Sequence, residues 1–152
     1  MNKSPLKLLF VCTGNTCRSA MAAAMMNDIA EKNDINVLID SAGVFAAIGE
    51  KASDEAIKAL EERGIDLSYH RTKPLTDELI KEADIILTMT EAHKKLISPM
   101  APEKVYTLLE YSGESGDISD PFGGDIDEYR QTASEIYDAL TDIAEKLPII
   151  GE

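Results

Sequence analysis

Residues 6–26 of this chain of 152 residues combine a strand pattern, a tight polar loop and a helix pattern without a break. Leu6-Lys7-Leu8-Leu9-Phe10-Val11 is an apolar run of strand length, and Ala20-Met21-Ala22-Ala23-Ala24-Met25-Met26 is built of helix formers. Between them lies Cys12-Thr13-Gly14-Asn15-Thr16-Cys17-Arg18-Ser19. A strand that turns through a tight polar loop into a helix points several backbone N–H groups at one spot, and the helix dipole adds partial positive charge there. The product is an anion cradle. Cys12 enters it from the strand end, where a helix N-terminus favours the thiolate. Arg18 brings a planar fork that matches two phosphate oxygens. Gly14 permits close backbone approach and Asn15 tolerates a left-handed conformation, so the loop amides can converge. A thiol nucleophile, an oxyanion cradle and a fixed cation point to phosphoryl transfer through cysteine. The loop has no lysine and no G-x-x-x-x-G-K-[ST] pattern, which excludes an ATP-binding loop of that kind.

The rest of the chain alternates apolar runs with helical patterns. Strands are predicted at Leu6 to Val11, Asn36 to Asp40, Ala83 to Met89 and Val105 to Leu108. The third is the most continuously apolar and suits a central parallel strand covered on both faces. Helices are predicted from about Ser19 to Lys32, from a Ser53 cap to Arg63, over Asp77 to Glu82 and Glu91 to Ile97, and from Asp127 to Leu147. Small residues at Ser41-Ala42-Gly43 suggest a backbone packed against something, and Ser112 to Gly124 reads as a long loop of the kind that often carries function. The alternation predicts one α/β domain over residues 1–152, with a four-stranded parallel sheet, helices on both faces and the Cys12 loop at the carboxyl ends of the strands.

Charge and cysteine usage narrow the partners. The net charge is −13, which argues against nucleic acid, since that binding rests on Lys and Arg neutralising phosphates. No apolar run is long enough to span a membrane, and Met1-Asn2-Lys3-Ser4-Pro5 is too short and polar for a signal peptide. A cytoplasmic monomer is expected. Cys12 and Cys17 are the two cysteines, too few for a disulfide framework or a four-cysteine metal site. Cys17 either packs or captures an oxidised Cys12 as a disulfide. Ser19 is either a helix cap or a hydroxyl that eases departure of the Cys12 thiolate.

Phosphoryl transfer to a cysteine also needs an acid for the leaving group. Asp120-Pro121-Phe122 in the long loop offers one: Pro121 stiffens the position and Phe122 can wall a pocket. Glu110, Glu114, Asp117 and Asp125 compete with it. Taken together, the Cys12–Ser19 loop and the downstream Asp120-Pro121-Phe122 resemble the low-molecular-weight protein tyrosine phosphatase family over essentially the whole chain. That resemblance implies Cys12 as nucleophile, Arg18 as phosphate clamp and transition-state stabiliser, and Asp120 as general acid and then base. It implies phosphate binding along Thr13, Gly14, Asn15, Thr16 and Cys17, and neither metal nor cofactor. It further implies that Asn15 is braced by Ser41 of Ser41-Ala42-Gly43 and by His70; from the residues alone His70 reads as a surface or core histidine.

Thr16 bears on the substrate. In family members acting on phosphotyrosine this loop position is usually a bulky aliphatic. The string from Cys12 to Ser19, with Ser41-Ala42-Gly43-Val44-Phe45-Ala46 and Asp120-Pro121-Phe122-Gly123-Gly124, resembles the protein arginine phosphatase branch. A threonine is smaller than isoleucine and offers a hydroxyl to a polar guanidinium, and an acidic rim suits a basic leaving group. The expected activity is hydrolysis of phosphoarginine in proteins through a phosphocysteine. Phosphotyrosine hydrolysis by the same chemistry is the alternative; behind it stand a thiol-dependent arsenate reductase and a non-catalytic phosphoresidue-binding module.

Overall fold

The computed structural model describes residues 4–151, so Met1-Asn2-Lys3 of the polar lead-in lies outside the described residues. Four strands form one parallel sheet: β1 (Leu6–Cys12), β2 (Val37–Gly43), β3 (Ile85–Thr88) and β4 (Val105–Thr107), in the spatial order β2-β1-β3-β4. Among the described residues six helices accompany them: α1 (Arg18–Asn33), α2 (Asp54–Glu61), α3 (Asp77–Glu82), α4 (Glu91–Ile97), α5 (Leu108–Ser112) and α6 (Ile126–Ala144).

Side chains of a strand alternate between its two faces, and β1 uses both. Leu8, Phe10 and Cys12 join the larger apolar cluster with Met21, Met25 and Ile29 of α1, Ala56 and Leu60 of α2, and Tyr129, Ile136 and Leu140 of α6. Leu9 and Val11 join the second cluster with Ile86, Val105, Ile80 of α3 and Ile97 of α4. Both faces of the sheet are therefore covered, as expected for parallel strands. After β1 the chain goes to one side to make β2, then crosses back to make β3 on the other. Strand order reverses at the carboxyl end of β1, which is where open α/β sheets bind ligands. Cys12 sits at that point.

Most sequence-predicted elements lie within a residue or two of the observed ones, and the differences have local causes. β2 extends through Ser41-Ala42-Gly43, which pair with Phe10, Val11 and Cys12. β3 begins later because Ala83 caps α3, its N–H bonded to the Leu79 carbonyl. Leu108 starts α5 instead of ending β4, since the Thr107 side chain accepts the Glu110 N–H as a helix cap. α6 begins after Asp125, which caps it by accepting the Glu128 N–H, and ends at Ala144, so Leu147 packs from a turn beyond the helix. Asp34 closes α1 in the left-handed conformation at φ 54°.

The small residues at the end of β2 have a steric role. A Cβ on Gly43 would stand 2.5 Å from the Thr13 carbonyl oxygen and 2.9 Å from the Asn15 nitrogen. Both are backbone atoms of the Cys12 loop. The Gly43 N–H and carbonyl are themselves bonded to Lys73 and Leu75, so the strand cannot retreat freely. A Gly43→Ala variant should therefore lose about 2 kcal/mol of stability from overpacking and most of its anion affinity. Urea denaturation with and without phosphate measures both; unchanged midpoints would show that the loop is not wedged against β2.

Candidate active site

The loop after β1 is organised around one side chain. Asn15 adopts φ 60°, the left-handed region that asparagine tolerates better than most residues, and is 0% exposed. Its Nδ2 donates to Ser19 Oγ at 2.8 Å and to Ser41 Oγ at 3.0 Å, and its Oδ1 accepts the Lys73 N–H at 3.1 Å. Its backbone carbonyl accepts from His70 Nε2 at 2.7 Å. A carbonyl can only accept, so Nε2 carries the proton. The start of α1, the end of β2 and the 70–73 segment thus meet on one residue, with Ser41 on its side-chain amide and His70 on its backbone carbonyl.

Cys12 is buried at the end of β1, its Sγ 2.8 Å from Ser19 Oγ. The Ser19 oxygen already accepts from Asn15, so its own proton is available to the sulfur; the Ala42 carbonyl competes only at 3.5 Å. Ser19 lies inside α1 and is not its cap: Cys17 holds that position and makes no side-chain cap bond. Cys17 packs in the core, 3.5 Å from Tyr129 Oη and 3.7 Å from Ser53 Oγ. Burial, reinforced by the Cys17 thiol and opposed by the Ser53 hydroxyl, pushes the Tyr129 phenol up to about 12. Both cysteines are free thiols.

Arg18 opens α1 and is 4% exposed. Its Nη1 donates to the Ile118 carbonyl at 2.8 Å, and Nη2 stands 3.6 Å from Asp120 Oδ2. The Ile118 N–H is bonded to the Met89 carbonyl just past β3, and Asp117 Oδ1 accepts the Glu91 N–H at the start of α4. These bonds fix the 117–120 segment and bring Asp120 to the Cys12 loop. Asp120 Oδ1 accepts the Phe122 N–H at 3.0 Å, which orients the carboxylate from within its own turn. The competing acids are engaged elsewhere or away from the loop: Glu110 pairs with Lys94 at 2.8 Å, Asp125 caps α6, and Glu114 lines a different depression beside Ser112 and Glu135.

A cavity of about 340 Å³ opens over this constellation. Cys12, Thr13, Gly14, Thr16, Cys17 and Arg18 form its floor and sides with Asp120 and Phe122, while Asn15, Ser19, Ser41 and His70 stand behind it as scaffold. Phe122 is 74% exposed, as is Phe45 at 81%, so two aromatic rings flank the mouth. Among the described residues there is no cluster of His, Cys, Asp or Glu able to hold a metal ion.

Several contributors escape a sequence reading. His93, distant from both cysteines in the chain, is buried with Nε2 2.9 Å from Thr13 Oγ1 and Nδ1 2.9 Å from Thr90 Oγ1. Nothing in its local sequence signals this, because the contact spans 80 residues. Phe45, Ala47 and Glu50 also line the cavity from the loop after β2. Lys73 acts through its backbone N–H, which any residue but proline would supply.

Burial lowers the proton affinity of both histidines; Arg18 adds to the effect at His93, as do Lys73 and Arg71 at His70. Each is held below the ordinary value of 6.5, so the unfolded chain takes up protons first. Their contribution to stability is complete above pH 6.5 and is lost as pH falls through the folded-state values. Glu62 and Asp66, whose folded values are lowered, act only from 4.5 downward. Unfolding free energy should therefore decline between pH 7.5 and 5.5, and less steeply in a His70→Gln variant. Parallel urea titrations at the two pH values check this, and a flat profile in the parent would refute it.

A cysteine at the base of an amide cradle, at the switch point of a doubly wound sheet, with an arginine inside and an aspartate beside it, defines a site for handling phosphate esters or amides. The chain belongs to the low-molecular-weight protein tyrosine phosphatase family: residues 7–148 match the family described as low molecular weight phosphotyrosine protein phosphatase. The protein-arginine-phosphatase of Bacillus subtilis (strain 168) is 47% identical over 146 residues, covering 93% of this chain and 97% of the relative. The low molecular weight protein-tyrosine-phosphatase PtpB of Staphylococcus epidermidis is 39% identical over 140 residues, covering 91% of this chain and 96% of the relative. Among solved structures, a mutant of the arginine phosphatase YwlE with a phosphorylated active-site serine superposes with a TM-score of 0.89 at 46% identity, covering 93% of this chain and 95% of that one.

Proposed function

We propose that this protein hydrolyses phosphoarginine in protein substrates through a phosphocysteine at Cys12. The observation that carries the substrate is Thr16. It lines the cavity beside Cys12 and Arg18, where a small side chain with a hydroxyl leaves room for, and can bond to, a guanidino group. The 47% identity to a protein named as an arginine phosphatase supports the same reading.

Each residue then has a task. The loop amides from Thr13 to Cys17 and the Arg18 fork hold the three non-bridging phosphoryl oxygens and stabilise their charge in the transition state. Cys12 Sγ attacks phosphorus in line, forming the S–P bond as the P–N bond breaks. Asp120 gives its proton to the departing guanidino nitrogen. The Ser19 hydroxyl, held by Asn15, donates to the Cys12 sulfur and supports charge on it both as nucleophile and as leaving group. In the second half Asp120 takes a proton from water, whose oxygen displaces sulfur, and inorganic phosphate leaves.

Phosphotyrosine is the second reading, favoured by Phe45 and Phe122 at the mouth, where an aromatic ring can stack, and by the relative named a tyrosine phosphatase. An arsenate reductase needs a thiol relay beyond the first cysteine, and the sequence has no cysteine after Cys17. A binding module without turnover would release no phosphate from an aryl ester. We read the protein as acting as a cytoplasmic monomer; its two free thiols suit that setting.

Hydrolysis rates for a phosphoarginine peptide and a phosphotyrosine peptide, compared on one preparation, test the assignment. The parent should favour phosphoarginine, and Thr16→Ile should move the ratio toward phosphotyrosine by about tenfold or more, the effect of crowding out one good contact. A parent that prefers phosphotyrosine, or a ratio indifferent to Thr16→Ile, would overturn the substrate reading.

A further inference from the structure

A second acidic residue lines the cavity, one that the phosphoryl-transfer scheme leaves unused. Glu50 lines it together with Asp120, Phe45 and Phe122. Its backbone is fixed through both its N–H and its carbonyl. Its N–H donates to Thr72 Oγ1 at 2.9 Å and its carbonyl accepts the Thr72 N–H at 2.7 Å. The preceding Gly49, at φ 80°, donates to the Thr72 carbonyl at 2.8 Å. Thr72 is buried, and the next residue, Lys73, is the one whose N–H is bonded to Asn15. The segment that braces the phosphate loop from behind therefore also sets where Glu50 stands. Among the described residues the Glu50 carboxylate has no ion-pair or hydrogen-bond partner, although its loop carries Lys51 next to it.

A free carboxylate at the mouth of an anion site opposes a phosphate dianion, because like charges repel. That position makes chemical sense for a substrate with positive charge next to the phosphoryl group. In phosphoarginine one guanidino nitrogen bears phosphorus, and the other nitrogens present N–H donors in a fixed plane. As Asp120 protonates the departing nitrogen, the leaving group becomes a full guanidinium cation. A phenol leaves neutral.

We propose that Glu50 accepts hydrogen bonds from the guanidino nitrogens not attached to phosphorus, stabilising the cation that forms as the P–N bond breaks, and so selects phosphoarginine over phosphotyrosine. The proposal rests on the phosphoarginine reading above and assigns half of its recognition to this carboxylate: Thr16 makes room, and Glu50 supplies the charge. Glu50 is exposed and bonded to the fold only through its backbone, so changing its side chain leaves the scaffold intact.

The test is kcat/KM for a phosphoarginine peptide and a phosphotyrosine peptide, measured for the parent, Glu50→Gln and Glu50→Lys. Glu50→Gln should lower the phosphoarginine value about fivefold to tenfold, the worth of one partly solvated charge-assisted bond, while the phosphotyrosine value rises about twofold. Glu50→Lys should extend both trends. Inhibition by free arginine, the product side chain, should weaken in the same order. If the parent prefers phosphoarginine but both variants keep its ratio, or lose both activities equally, Glu50 does not read the guanidino group and the phosphoarginine reading stands without it. If the parent prefers phosphotyrosine, that reading and the role of Glu50 fall together.

Discussion

The side-chain amide of Asn15 is the interaction on which the site depends. It is wholly buried, and it joins the start of α1, the end of β2 and the 70–73 segment through three hydrogen bonds. An amide in that position costs about 1–3 kcal/mol for each bond left unmade, so its three partners must all be in place for the loop to hold its shape. The left-handed backbone at φ 60° is itself unfavourable and persists because these bonds, and His70 on the carbonyl, over-determine it. The consequence reaches the chemistry directly. Asn15 holds the Ser19 oxygen, and that hydroxyl stands 2.8 Å from the sulfur of Cys12.

A second chain of bonds brings the far half of the molecule to this loop. Met89, at the end of β3, holds Ile118 by its N–H, and Ile118 holds Arg18 by its carbonyl. The cation inside α1 and the segment bearing Asp120 are thus positioned by one residue. The arrangement keeps Arg18 and Asp120 at 3.6 Å, close enough to influence each other and too long for a strong ion pair. A tighter pair would neutralise the arginine proposed to face a phosphate. The orientation of Arg18 comes from a neutral carbonyl instead, which leaves its charge for the ligand.

The sheet, most of its helices and the Cys12 loop were legible in the sequence because each rests on local pattern: an apolar strand, a run of helix formers, a cap at Ser53. α5 was not legible, since Leu108 continues an apolar strand pattern and only the Thr107 cap diverts it. The long loop contains several acids of similar local character, and Asp120 stands out among them only through resemblance and through the anchoring of Ile118. His93 and Glu50 were beyond reach for another reason. The partners that fix them, Thr13 and Thr72, lie 80 and 22 residues away, and neither contact leaves a mark on neighbouring sequence. The scaffold is written locally; the walls of the cavity are written by topology.

Phosphoryl transfer is proposed to pass through the Cys12 sulfur, with Asp120 serving both halves of the reaction. An Asp120→Ala variant mixed with an aryl phosphate bearing a good leaving group separates the halves. The first step then needs little acid, whereas the second still needs the base. Intact-mass and peptide-mass spectrometry of the acid-quenched mixture should find the protein heavier by one phosphoryl group, located on the peptide containing Cys12. Phosphate released at the parent rate with no phosphorylated Cys12, or the label on a different residue, would contradict the account.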